Sequence, residues 1–154
     1  MAKTGITLKV EDKGWKDAVS ESKKLRKELH VGVQEEDAGD KYPDHDATVG
    51  QVAMWNEFGT QDIPARSFLR DWADENAEKI AKQIGADYMR VLFADEDEEA
   101  ALEKRGSEYS RQIVGRIKRR IPPPNSPETL ARKKGTTPLI DTGLLVKSIK
   151  GKVE

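Results

Sequence analysis

The chain has 154 residues, 36% apolar and 36% charged, with a formal net charge of -1 and a mean hydropathy of -0.76. Such a length suits one domain, residues 1–154, with a modest core and a well-solvated surface. The absence of cysteine excludes disulfide scaffolds, thiol catalysis and cysteine-ligated zinc, and without an apolar signal core or membrane-length run a soluble cytoplasmic product is expected.

Ile6, Leu8 and Val10 alternate with polar residues, the period of a half-buried strand. After Gly14 the period changes to that of a helix, with Trp15, Ala18, Val19, Ser22, Leu25 and Leu29 on one face. Val31 and Val33 restore alternation and predict a second strand at His30 to Glu35. Strand, helix and strand in this order predict a small helix-backed sheet. Residues 36–47 are polar, contain Gly39 and Pro43, and read as an exposed mobile loop. Thr48 with Gln51 three places on forms a capping box. It opens a helix whose apolar stripe is expected at Val49, Val52, Ala53 and Phe58, with Gly59 ending it in a left-handed conformation.

From Phe68 to Leu92 apolar residues recur at three- and four-residue steps, predicting a helix of about seven turns whose buried face includes Trp72, Ala73, Ala77, Ile80, Ala81, Ile84 and Tyr88. The acidic run Asp95 to Glu99 suits the start of a second helix, buried through Leu102, Tyr109, Ile113, Ile117 and Ile121 and basic at its end. Pro122, Pro123 and Pro124 stop it and begin an extended segment over 122–138. Ser126 and Pro127 cap a short helix running to about Lys134. A last helix is expected at Asp141, its carboxylate accepting from the amides of residues 143 and 144, with Leu144, Leu145 and Ile149 inward. Gly151 to Glu154 add an edge strand. The fold class is α+β: a small, mostly antiparallel sheet packed against one long helix and several shorter ones.

Catalytic signatures are missing from the pattern. His30 reads as structural. His45, between Asp44 and Asp46, has no second ligand pair at helical spacing, so neither a metal nor a cofactor is expected. No strand–GxxxxGK–helix unit or GxSxG context occurs. Residues 1–99 carry 14 Lys/Arg against 23 Asp/Glu, whereas residues 100–154 carry 13 against 5. That asymmetry fits either a nucleic-acid tail or two faces meeting neighbours of opposite charge. Arg116, Lys118, Arg119 and Arg120, with Arg132, Lys133 and Lys134, form the basic end, but no aromatic residue is interleaved for base stacking.

Two stretches combine residue types that local structure alone does not demand. One is Asn56-Glu57-Phe58-Gly59-Thr60, followed by Ile63-Pro64-Ala65-Arg66-Ser67-Phe68-Leu69-Arg70. The other is Pro138-Leu139-Ile140-Asp141-Thr142-Gly143-Leu144-Leu145, then Lys147-Ser148-Ile149. Together, and over roughly residues 48–150, they resemble the tail-completion and head–tail joining proteins of tailed bacteriophages, also called neck or virion-morphogenesis proteins. That family typically shows an "EFG" turn, "PARPF" opening a long helix, and "PLxDTGxLxxSI" near the C-terminus. Ser67 stands where the family usually has a second proline, and is expected to loosen the helix start slightly. Physically, Pro64 fixes the approach, Phe68 anchors the long helix to the sheet, and Arg66 stays free to pair with a carboxylate.

The resemblance implies a non-enzymatic subunit of a ring, often a hexamer. Such a ring ends the tail tube or joins it to the head connector, is made in the host bacterial cytoplasm and resides in the virion. Its partners would be its own copies, the tail tube protein and head–tail connector proteins, with no membrane and at most transient contact with passing DNA. The alternative is a nucleic-acid-binding or regulatory protein of a prophage that uses the basic C-terminal part.

Overall fold

The computed structural model describes residues 14–23, 25–43, 46–133 and 135–154. The strand expected at Ile6 to Val10, and His45 with Asp44, lie outside them. Among the described residues the order is α1 (Trp15–Ser22), β1 (Leu29–Val33), α2 (Glu35–Ala38), α3 (Val49–Phe58), α4 (Arg70–Phe93), α5 (Glu98–Lys118), α6 (Pro127–Arg132), α7 (Leu144–Ser148) and β2 (Ile149–Val153). The fold is α+β, with helices dominating and a two-stranded antiparallel sheet.

The C-terminal strand is longer than expected and pairs with β1 from Leu29↔Val153 to Val33↔Ile149. The sheet lies chiefly on α5, not on the longest helix α4. Two glycines cause this. Gly151 of β2 rests directly on the backbone of Gly106 in α5, and a Cβ on Gly151 would collide with the Gly106 backbone. Only two residues without side chains permit that approach.

One core cluster gathers Val49, Ala53, Phe68, Trp72, Tyr109, Ile113, Ile117, Ile121, Leu145 and Ile149. The apolar face of α5 is buried as its period requires. Asp97 caps this helix by accepting from the Ala100 amide at 2.8 Å. The longer α4 buries less than its pattern promises: Ala73, Ala77 and Ala81 are exposed, and Ile80, Ile84 and Tyr88 only half-buried. Its second firm attachment is polar. The buried Asp87 carboxylate accepts from Arg105 of α5 at 2.7 and 2.9 Å and pairs with Arg90.

Residues 36–47 differ from the exposed loop their polarity suggests. They include α2, a bridge between Lys41 and Thr48, and a bond from the Val49 amide to the Asp40 carbonyl at 2.9 Å. Tyr42 is buried in the core and supplies the anchor that composition hid. The Thr48–Gln51 capping box is present in full, and Ser126 caps α6 as expected, which ends at Arg132. The last helix starts three residues later than expected. Gly143 is its cap, in a left-handed conformation (φ 83°), and Thr142 Oγ1, not Asp141, accepts from the Leu144 amide at 3.3 Å.

Candidate assembly surface

The first of the two stretches builds a joint between α3 and α4. Glu57, at the end of α3, is buried, and its carboxylate accepts from the amides of Phe68, Leu69 and Arg70 at 2.9, 3.0 and 2.9 Å. The amides of Leu69 and Arg70 are among those that a helix start leaves without internal partners, that of Phe68 directly precedes them, and the positive end of the helix dipole favours an anion there. Ser67 Oγ donates to the same carboxylate at 2.5 Å and accepts from the Asp71 amide at 3.2 Å. Ser67 therefore tightens the helix start, reversing the expectation that it loosens it. Burial pushes the Glu57 carboxyl up, but the Ser67 hydroxyl and the three amides outweigh it and hold the group below the ordinary 4.5.

Gly59 makes the turn that this joint requires. Its φ of 76° and ψ of 170° fall in a region essentially reserved for glycine, not in the left-handed helical region expected. A Cβ there would stand 2.9 Å from the Ala65 nitrogen. Pro64 and Ala65 themselves are exposed, while Phe68 is fully buried and anchors α4 in the core.

Arg66 is not free to seek a carboxylate. It is buried, and its guanidinium donates to the carbonyls of Pro123 at 2.8 Å and Pro124 at 3.1 Å, with Asn56 Oδ1 at 3.5 Å. Pro123 and Pro124 lie between α5 and α6, outside any helix, so their carbonyls are open acceptors, and the fork of an arginine fits two neighbouring ones. Thus the extended segment at 122–138 is tied down at its start.

The second stretch arrives at the same end of the molecule. α7 packs against α3; Pro138 and Leu145 are buried, Leu139 adopts a positive φ of 65°, and Asp141 and Thr142 are exposed. Lys133 Nζ donates to the Thr137 carbonyl at 2.8 Å. Burial lowers the Lys133 pKa, nearby Asp141 raises it and Arg66 lowers it, so residues from all three segments share one electrostatic neighbourhood.

The basic residues divide into two groups. Arg116 is half-buried and committed to α4, donating to Glu75 at 2.5 Å with Asp71 at 3.7 Å. Lys118, Arg119 and Arg120 are exposed; Arg120 reaches Thr136 Oγ1 at 3.3 Å. Among the described residues, no group of three His, Cys, Asp or Glu side chains is placed to hold a metal, and no helix is long and apolar enough to cross a membrane.

No family model, curated protein or solved structure matches the chain.

The geometry itself supplies what the sequence reading overlooked. Phe58, expected inside, is 62% exposed, and Met54 beside it is 63% exposed, with Trp55 adjoining. The Arg70 guanidinium lies over the Phe58 ring, 5.6 Å from its centroid. Val49, Ala53 and Glu57 face the core instead. The signal was available: the segment Val49–Phe58 carries apolar residues on both faces, so its period alone does not fix which face turns inward. Met89 and Phe93 form a second exposed apolar pair at the far end of α4.

Proposed function

We propose that this chain is a non-enzymatic virion assembly subunit at the phage head–tail junction, a ring-forming tail terminator or tail-completion protein. The observation that carries this reading is the outward face of α3. Met54, Trp55 and Phe58 present an apolar ridge on a helix held from beneath by Glu57, Gly59 and Arg66. Exposed aromatic and methionine side chains on a rigid support are the usual composition of a protein–protein contact core. The residues that resemble the tail-completion family supply that support. Copies meeting through this ridge and a different surface of the neighbour would give a head-to-tail contact, which closes into a ring by rotation. Its partners would be further copies of itself, the tail tube and the connector.

The test is electron microscopy of lysates from a phage or prophage carrying a stop codon in this gene. Filled heads beside detached tails of abnormal length would support a terminator. Detached tails of normal length would support a joining role. Normal infectious particles would sink the reading.

A second reading draws on the exposed Lys118, Arg119 and Arg120. A prophage nucleic-acid-binding protein using them would retain DNA in a steeply salt-dependent way.

A further inference from the structure

The paired helices α4 and α5 present different chemistry at their two ends. They run antiparallel, since Arg116 meets Glu75, Tyr109 meets Gln83 and Arg105 meets Asp87. The start of α4 and the end of α5 therefore lie together, and α4 runs 24 residues, about 36 Å, to the opposite end. At the first end stand the exposed Met54, Trp55 and Phe58, with the Arg70 guanidinium over the Phe58 ring. Lys118, Arg119 and Arg120 are exposed there too. Arg66 ties them to α3, bonding the Pro123 and Pro124 carbonyls on one side and Asn56 on the other. At the second end Met89 and Phe93, one helical turn apart, are both exposed. Five carboxylates, Asp95 to Glu99, follow directly. Glu96 pairs with Arg90 and Glu99 with Lys27, while Asp95 and Asp97 face solvent.

Each end thus couples exposed apolar side chains to charge, and the charges are of opposite sign. The helix dipole accounts for the sign at each end of α5. It gives no reason for uncovered Met, Trp and Phe beside those charges, and exposed apolar groups rimmed by polar ones mark contact sites. We propose that the two ends meet between copies of this chain. The Met54–Trp55–Phe58 ridge of one copy, flanked by Arg70 and Arg119, receives Met89, Phe93 and the Asp95 and Asp97 carboxylates of the next. Apolar side chains form the centre of such a contact and charges its rim, where opposite signs also fix orientation. The occupant is a second copy because one chain carries both halves, at ends too far apart to meet within it. Joining two different surfaces makes the contact heterologous, so every pair leaves one ridge and one far end free for further copies. The inference rests on the assembly reading for its use in a ring, and it names the neighbouring surface which that reading leaves open.

Sedimentation velocity of the full chain over a range of concentrations tests it. The wild-type chain is expected to associate, and to do so less as salt rises, because exposed charges are screened. Phe58→Asp and Phe93→Asp should each weaken self-association at least about tenfold, since each removes one half of the contact. Mixed in equal amounts, where neither associates alone, they should form a dimer that grows no further. The Phe93→Asp chain supplies an intact ridge and the Phe58→Asp chain an intact far end. Met54→Asp and Met89→Asp repeat the experiment on another residue of each group, and unchanged far-UV circular dichroism shows that the fold survives. A wild-type chain monomeric throughout, or a mixture that stays monomeric, would overturn the proposal. So would a Phe93→Asp chain that dimerises as the wild type does, because ridge would then be meeting ridge. Stop-codon lysates test the assembly reading separately: normal particles, alongside head-to-tail association in solution, would sink that reading and leave this contact standing.

Discussion

Replacing Glu57 with glutamine asks how much of the joint between α3 and α4 rests on one charge. The carboxylate accepts from three amides and one hydroxyl. A glutamine has one acceptor oxygen, which satisfies at most two of these donors, and its NH2 group faces the rest. Bonds to a charged acceptor are roughly twice as strong as neutral ones, and each buried amide left unpaired costs about 1–3 kcal/mol. Loss of the anion at the helix start adds about 0.3–2 kcal/mol. Glu57→Gln should therefore cost about 3 kcal/mol, or about 6–12 °C in Tm at this chain length. The pH dependence gives a second check. Because the folded pKa lies below the ordinary 4.5, the charge stabilises the fold fully above that value, and the contribution is lost as pH falls through the folded pKa. Urea titrations of both proteins at neutral and acid pH would show the wild-type advantage narrowing in acid. An advantage under about 1 kcal/mol at neutral pH, or one unchanged in acid, would refute the cap as the source of stability.

Gly151→Ala should destabilise by about 1–3 kcal/mol, toward the upper end because backbone faces backbone at Gly106; equilibrium unfolding measures it, and near-neutrality would disprove the contact. Arg66→Lys should behave like Arg66→Met, since one ammonium cannot serve both proline carbonyls as the fork does; faster amide exchange confined to residues 125–137 would show it. Asp87→Asn should cost about 2–3 kcal/mol at neutral pH. Arg105 bonding lowers the Asp87 pKa against the opposing effect of burial, so this cost too should fade as pH drops below the ordinary 3.8 through the folded value. Reversing Arg119 and Arg120 to Glu should leave Tm nearly unchanged, because both are exposed. If particle assembly also stays normal, charge pairing through this end plays no part in it.

How much of this was legible beforehand depends on which interactions have a period. The helix α5 was readable because its buried residues repeat with the helical turn and its ends carry a cap and basic residues. The Thr48 box and the Ser126-Pro127 start were readable because both partners lie within four residues. Glu57 and Arg66 stood out in the sequence, but their work did not. Their partners lie 11 and 57 residues away, and a charged side chain carries no local mark of whether it serves a helix start or the solvent. Tyr42 was hidden for the converse reason, as one core anchor in a polar stretch without periodicity.

Phe58 shows where pattern and structure part in a way that bears on function. Periodicity can identify an apolar face but cannot name what covers it, and Val49–Phe58 has two such faces. The core takes the face of Val49 and Ala53 because Glu57, on that same side, must reach the start of α4. Turning the helix to bury Phe58 would withdraw that carboxylate from three amides, a larger loss than the roughly 1.5–3 kcal/mol of burying one large apolar side chain. The exposure of Met54, Trp55 and Phe58 thus follows from the demands of the joint beneath them. A point substitution separates the two roles: Phe58→Ser should leave the unfolding free energy within about 0.5 kcal/mol of wild type, as for other surface changes, while reducing self-association or virion joining. A variant that loses stability instead, with association intact, would mean the ridge belongs to the fold and the contact surface lies elsewhere.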